Sequence, residues 1–156
     1  MKLSFQEAVD AGIVFPASEL CAQGEGAVVF TVPVEIVSEL NRRDHWAVKY
    51  RRATRQKRMA HAHTLKHAHR LRARARADRD LCLLVKLVRI MRRRQRPYDG
   101  DNLQSGFKAI RDGIAEALGI DDGSYRIDWQ YDQERGDGKG MVRIAIEEVG
   151  KEDVHG

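Results

Sequence analysis

The spacing of hydrophobic and polar positions changes repeatedly along this chain, and each change marks an element. From Ala27 to Ile36 the residues Val28, Phe30, Val32 and Val34 alternate with Val29, Thr31, Pro33 and Glu35, the two-residue period of a strand. Pro33 has no N–H for a ladder, so the strand is expected at a sheet edge or to end there. Glycine is then absent between Gly26 and Gly100, and proline between Pro33 and Pro97. The run beyond Asn41 is rich in alanine, arginine and leucine, all good helix formers. It predicts one long helix, capped by Asp44 and reaching about Ala77, on the order of 50 Å at 1.5 Å per residue. Trp46 and Tyr50, one turn apart on it, are expected to pack against the domain, with base stacking as the functional alternative. Leu81 to Met91 (LCLLVKLVRIM) is the most apolar run and predicts a buried central strand, closed by Pro97.

A second helix follows. Asp101 has Gln104 three residues on, the spacing of a capping box, and Leu103, Phe107, Ile110, Ile114, Ala117 and Leu118 form one apolar face. At about 100° per residue, Asp101, Ser105, Lys108 and Asp112 fall on the opposite face. Gly119 suits the C-terminal cap. Beyond it Tyr125, Ile127, Trp129 and Tyr131 alternate with polar residues, Gly136, Gly138 and Gly140 mark a turn, and Met141 to Glu147 alternates again, so the two strands are expected to form a hairpin. The order strand, helix, strand, helix, strand, strand predicts an α+β fold with helices against a mixed four-stranded sheet. Residues 27–149 form its single domain, preceded by an N-terminal extension (1–26), where Ser4 and Glu7 have capping-box spacing, and followed by a flexible tail (150–156).

The 156 residues suit one domain, and no stretch approaches the roughly 18 apolar residues of a membrane span. The reading is of a cytoplasmic protein, of cellular or phage origin, without a membrane partner. Cys21 and Cys82 match no disulfide framework or CxxC motif. The net charge of +5 conceals an asymmetry: residues 1–41 carry a net −5, residues 42–96 hold 20 basic and 3 acidic residues (+17), and residues 97–156 carry −7. Sixteen of those 20 bases are arginine, whose forked guanidinium suits phosphate. The middle third is therefore expected to bind nucleic acid, through Arg42, Arg43, Lys49, Arg51, Arg52 and Arg55 and through Arg92, Arg93, Arg94 and Arg96. His63 and His67 stand at i,i+4, but no carboxylate or cysteine is near in sequence, so they are read as part of that surface and not as metal ligands.

The candidate chemistry lies between Asp99 and Asp122, where Asp99-Gly100-Asp101-Asn102 opens the second helix and Asp121-Asp122 follows it. Each half alone makes a turn or cap. If both ends return to one sheet edge, their oxygens offer a hard cation such as Mg²⁺ a site beside a basic arm, and such a cation polarises a phosphate and activates water.

This arrangement resembles the RusA family of Holliday-junction resolvases: an arginine-rich segment, then Asp99-x-Asp101-Asn102-Leu103-Gln104, a helix, Asp121-Asp122 and a strand, with Asn41 and a basic segment upstream. The resemblance spans roughly residues 28 to 148. It implies a homodimeric endonuclease, dependent on Mg²⁺ with Mn²⁺ as an alternative, that resolves four-way DNA junctions by paired nicks in recombination and repair. By position Asp99, Asp101 and Asp122 would bind the metal and catalyse, with Asp121 a further ligand candidate and Asn102, Ser105 and Asp112 of second rank. The family pattern has a lysine four residues after the second aspartate, where this chain has Ser105. Lys108, seven after Asp101, is assigned that role. A nuclease for other branched DNA and a non-catalytic nucleic-acid-binding protein are the alternatives.

Overall fold

The computed structural model describes residues 27–40 and 42–154. Residues 1–26, with Cys21 and the Ser4–Glu7 spacing, and Asn41 lie outside them. The described elements are β1 (Ala27–Val32), α1 (Trp46–His67), α2 (His69–Ala77), β2 (Cys82–Met91), α3 (Gly100–Gly106), α4 (Lys108–Leu118), β3 (Ile127–Arg135) and β4 (Met141–Val149). They build an α+β fold on one mixed four-stranded sheet. Among the described residues no helix is long and apolar enough to cross a membrane.

The sheet order is β1-β4-β2-β3, so β1 lies at an edge, ending just before Pro33, and the apolar run of β2 is central. The expected β3–β4 hairpin is corrected here. Strand β2 sits between them, parallel to β3 with Leu83 opposite Ile127 and antiparallel to β4 with Leu87 opposite Ile144. An apolar strand with both edges paired leaves no backbone group unsatisfied in the core. The glycine-rich loop between β3 and β4 therefore arches over the end of β2, where Gly136 N–H donates to Met91 C=O at 2.8 Å.

Paired residues share a face, which sorts the sheet into two sides. One side carries Phe30, Val32, Leu83, Val85, Leu87, Ile127, Val142, Ile144 and Ile146, all buried in a single cluster with Ile110, Ile114 and Leu118 of α4 and with Ala60, Leu71 and Ala75 of α1 and α2. The other side is laced by charge: Arg143 reaches across the central strand to Glu134 at 2.6 Å, and Lys86 stands 3.9 Å from Asp132.

Two helices expected to be continuous are broken. The long basic helix is interrupted at Ala68, with φ −114° and ψ 26°, and α2 sets off in a direction that buries Ala68, Leu71 and Ala75. Its first cap is His45, whose ring accepts from Ala47 N–H at 3.2 Å; Asp44 instead pairs with Arg52 at 2.5 Å. The second helix bends at Phe107, a fully buried ring that stacks on Tyr131 with centroids 5.8 Å apart. Helices α1 and α4 cross closely at Gly113, where a Cβ would lie 2.4 Å from Lys57 O. The end of α4 has the expected glycine cap: Gly119 is left-handed (φ 71°) and Ile120 N–H reaches back to Ala115 C=O at 3.1 Å. Residues 150–154, read above as a flexible tail, include a turn over 151–154 in which Lys151 meets Asp80 at 2.9 Å and Val154 is buried.

Candidate functional site

The basic arm between β2 and α3 is an ordered loop whose backbone is held at several points. Arg89, in the last turns of the β2 pleat, is 2 % exposed and has no carboxylate partner among the described residues. Its guanidinium lies 3.7 Å from the centroid of the Tyr98 ring and donates to Arg96 C=O and Gln133 Oε1, both at 3.3 Å. Burial pushes its pKa down from the usual value. Arg135 donates to the carbonyls of Arg93 and Gln95, and Gln95 and Arg92 both engage Glu35, Arg92 at 2.6 Å. With the backbone so anchored, the side chains of Arg93, Arg94 and Arg96 stand exposed.

The same anchoring delivers Asp99. Gln133 accepts from Tyr98 N–H at 2.9 Å and donates to Tyr98 C=O at 2.6 Å, and the Tyr98 hydroxyl accepts from Ser38 N–H at 3.1 Å. Asp99, not Asp101, caps the helix. Its Oδ1 accepts from Asn102 N–H at 2.9 Å and Asn102 Nδ2 at 2.8 Å, while Asn102 Oδ1 accepts from Ser38 Oγ. The physical reason is that Gly100 already has helical geometry, which moves the cap two residues upstream and leaves Asp101 in the first turn, exposed and favourably placed at the helix start. Ser105 is half-buried. Lys108, exposed, pairs with Asp112 at 3.2 Å, and with Phe107 bending the chain it is in ion-pair range of neither Asp101 nor Asp122.

The second acidic pair divides its labour. Asp121 makes a turn, accepting from Gly123 N–H at 2.8 Å. Asp122 is half-buried, its carbonyl accepting from Trp129 Nε1 at 2.9 Å and from Arg111 at 3.4 Å, its carboxylate 3.7 Å from Arg111. Arg111 in turn lies 5.0 Å from the Trp129 ring centroid. Between the two tethers sits Tyr131, whose hydroxyl lies near Gln104 and Arg111 without a well-aligned hydrogen bond, and burial raises its pKa. Thus Tyr98, next to Asp99, is held at Gln133 and Asp122 is held at Trp129. These are positions on the same face of β3, roughly 13 Å apart at 3.3 Å per residue. The two acidic ends share one edge strand.

Asp99, Asp101 and Asp122 are carboxylates, the ligand type that Mg²⁺ takes. Among the described residues, however, no three His, Cys, Asp or Glu side chains are grouped closely enough to hold a metal ion. His63 and His67 stack on each other, and His67 stacks on Phe30 at 5.2 Å, so this pair serves packing against β1.

The basic residues fall into two kinds. Arg52 is fixed between Glu39 and Asp44, raising its own pKa and lowering that of Asp44, and Arg42 approaches Asp44 at 3.1 Å. Arg43, Arg51 and Arg55 are exposed and Lys49 half-exposed, with no ion-pair partner among the described residues. Arg55 lines a cleft of about 730 Å³ with Arg52, Arg92 and Lys139, between α1, the arm and the β3–β4 loop. Trp46 and Tyr50, expected to pack against the domain, are instead 73 % and 67 % exposed. They stand in the first turns of α1, ahead of the stretch in which Gln56, Ala60 and Thr64 are buried.

Arg89, Gln133, Arg111, Trp129 and Tyr131 join these positions only through the folded structure. Arg89 carries a signal, a charge inside the most apolar run, whereas Gln133 carries none. No protein-family model matches the chain, and no curated protein matches it in sequence.

Proposed function

We propose that the chain is a Mg²⁺-dependent, structure-specific endodeoxyribonuclease of the RusA type, acting on four-way DNA junctions as a homodimer. The observation that carries this reading is the tethering of Asp99 and Asp122 to one face of β3, through Tyr98–Gln133 and Asp122–Trp129, beside an anchored arm of exposed arginines. Asp99, Asp101 and Asp122 are the carboxylates proposed to meet the cation, although the described residues do not group three such side chains closely enough to hold it; a bound cation would polarise the scissile phosphate and lower the pKa of water.

The chain's own residues supply binding and position. Arg93, Arg94 and Arg96 neutralise phosphates from a loop whose backbone is already held by Arg89, Arg135 and Gln133. Preorganisation of that kind reduces the ordering that binding requires. Arg111, 3.7 Å from the Asp122 carboxylate, offsets part of its charge. Lys108, which among the described residues pairs with Asp112 alone, on an exposed face, supplies an ammonium to phosphate. A two-fold dimer places two such sites against symmetric strands.

Asp101→Asn tests the reading against a non-catalytic nucleic-acid-binding protein. The proposal expects DNA binding retained and Mg²⁺-dependent cleavage lost; the alternative expects cleavage by neither protein.

A further inference from the structure

We infer that Trp46 and Tyr50 form a stacking platform for unpaired nucleobases, an inference that rests on nucleic acid being the ligand. Large aromatic side chains normally bury most of their surface, and a pair left in solvent on one helix face is the kind of exposure that marks a contact site. Trp46 is 73 % exposed and Tyr50 67 %. Four residues of helix set their Cα atoms about 6 Å apart along the axis, on neighbouring turns of one face. Duplex bases rise about 3.4 Å per step and turn inward, so rings at this spacing engage successive bases only where a strand is unstacked.

Charge chooses the occupant. From Trp46 to Ala77 the chain has 11 lysines and arginines and no acid. Beside Tyr50 a groove of about 360 Å³ is lined by Arg51, Thr54, Arg55, Arg58 and Met59. Arg51, Arg55 and Arg58 pair with no described carboxylate, in contrast to Arg52 and Lys57 on the same helix, which meet Asp44 at 2.5 Å and Glu116 at 2.7 Å. A second copy of the chain seated over this patch by a two-fold axis would set those arginines against their own equivalents. A single strand instead offers phosphates to the arginines and bases to the rings. Arg55 also lines the larger cleft with Arg92, so the platform is continuous with the arm that leads to Asp99.

The experiment titrates the full chain, in EDTA, with a short single-stranded oligothymidylate and with a linear duplex, following tryptophan fluorescence and anisotropy of the labelled DNA. The oligothymidylate should quench the wild type. Trp46→Ala should abolish most of the quench and weaken single-strand affinity about 5- to 150-fold, the range for one lost base stack. Tyr50→Ala should weaken it by a comparable factor, Trp46→Phe should retain most of it, and duplex affinity should stay within about 2-fold. Both rings stand in solvent, so thermal unfolding checks that the variants remain folded. Equal single-strand affinity of wild type and the Trp46→Ala, Tyr50→Ala double variant overturns the platform, as does equal loss on both DNAs. A wild-type dimer that the double variant splits makes the patch a subunit interface and overturns it also. If the wild type binds no DNA of either form, the proposed function falls with it; if the wild type cleaves junctions and the double variant binds single strands normally, only the platform falls.

Discussion

Gln133 clasps the backbone of Tyr98 from both sides, accepting from its N–H at 2.9 Å and donating to its C=O at 2.6 Å. One carboxamide on β3 thereby sets where Asp99 begins the next helix. Gln133→Leu removes both bonds, and with them an acceptor for Arg89. The expected loss is about 1–3 kcal/mol of stability, because the peptide groups lose their partner in a half-buried setting. Cleavage should fall by more than junction affinity, since the arginines of the arm remain. Urea denaturation and single-turnover kinetics check the two effects, and an unchanged cleavage rate would show that Asp99 does not depend on the clasp.

Lys108→Ala should leave the fold intact, because the ammonium is exposed and among the described residues meets only Asp112, at 3.2 Å. If the proposed function holds, the expected effect is on the chemical step, with turnover reduced on the order of 10²-fold as for a lost electrostatic donor. Asp112→Asn, which releases the lysine, should reduce turnover far less. Cleavage of junctions by Lys108→Ala at the wild-type rate would remove this residue from the site.

Gly113→Ala tests the packing that carries α4. The new Cβ would lie 2.4 Å from Lys57 O and 3.1 Å from Ala60 Cβ, so α1 and α4 must separate. Overpacking of this kind costs about 1–3 kcal/mol against a helix-propensity gain of about 1, and the strain falls on backbone, so a net loss is expected. A lower denaturation midpoint with an unchanged slope is the signature.

His67 makes stability fall in mild acid. Partial desolvation against Phe30, with Lys66 and His63 nearby, holds its pKa below the usual 6.5 although the residue is exposed, so the effect is a small one. The unfolded chain therefore takes up the proton more readily than the folded one. Stability from the neutral ring is complete above 6.5, falls as pH drops through that value, and stops falling below the folded-state pKa. His67→Phe, which keeps an aromatic ring on Phe30, should reduce the dependence of Tm on pH between about 7 and 5.

The α+β class, the edge placement of β1, the central place of β2 and the Gly119 cap were legible because each rests on local chemistry: a period, a proline, an uninterrupted apolar run, a glycine. The strand pairing was not. A glycine-rich loop between two alternating segments reads the same whether it closes a hairpin or arches over a third strand, and only the need of β2 for two neighbours decides it. The break at Ala68 carries no glycine or proline, so its cause is tertiary. In the site, Asp99, Asp101 and Asp122 were visible as acids flanking a helix, but the cap fell on Asp99 because Gly100 is helical. Arg111 was hidden, since its pairing with Asp122 arises only once α4 packs over Trp129.

The most direct measurement of the central claim is incubation of the full chain with a synthetic four-way junction and with linear duplex of the same sequence, in Mg²⁺ and in EDTA, alongside Asp101→Asn. The account predicts paired nicks in opposed strands of the junction in Mg²⁺ alone, intact duplex, and binding without cleavage by Asp101→Asn. Junction bound but left uncut by the wild type in Mg²⁺ and in Mn²⁺ would contradict it.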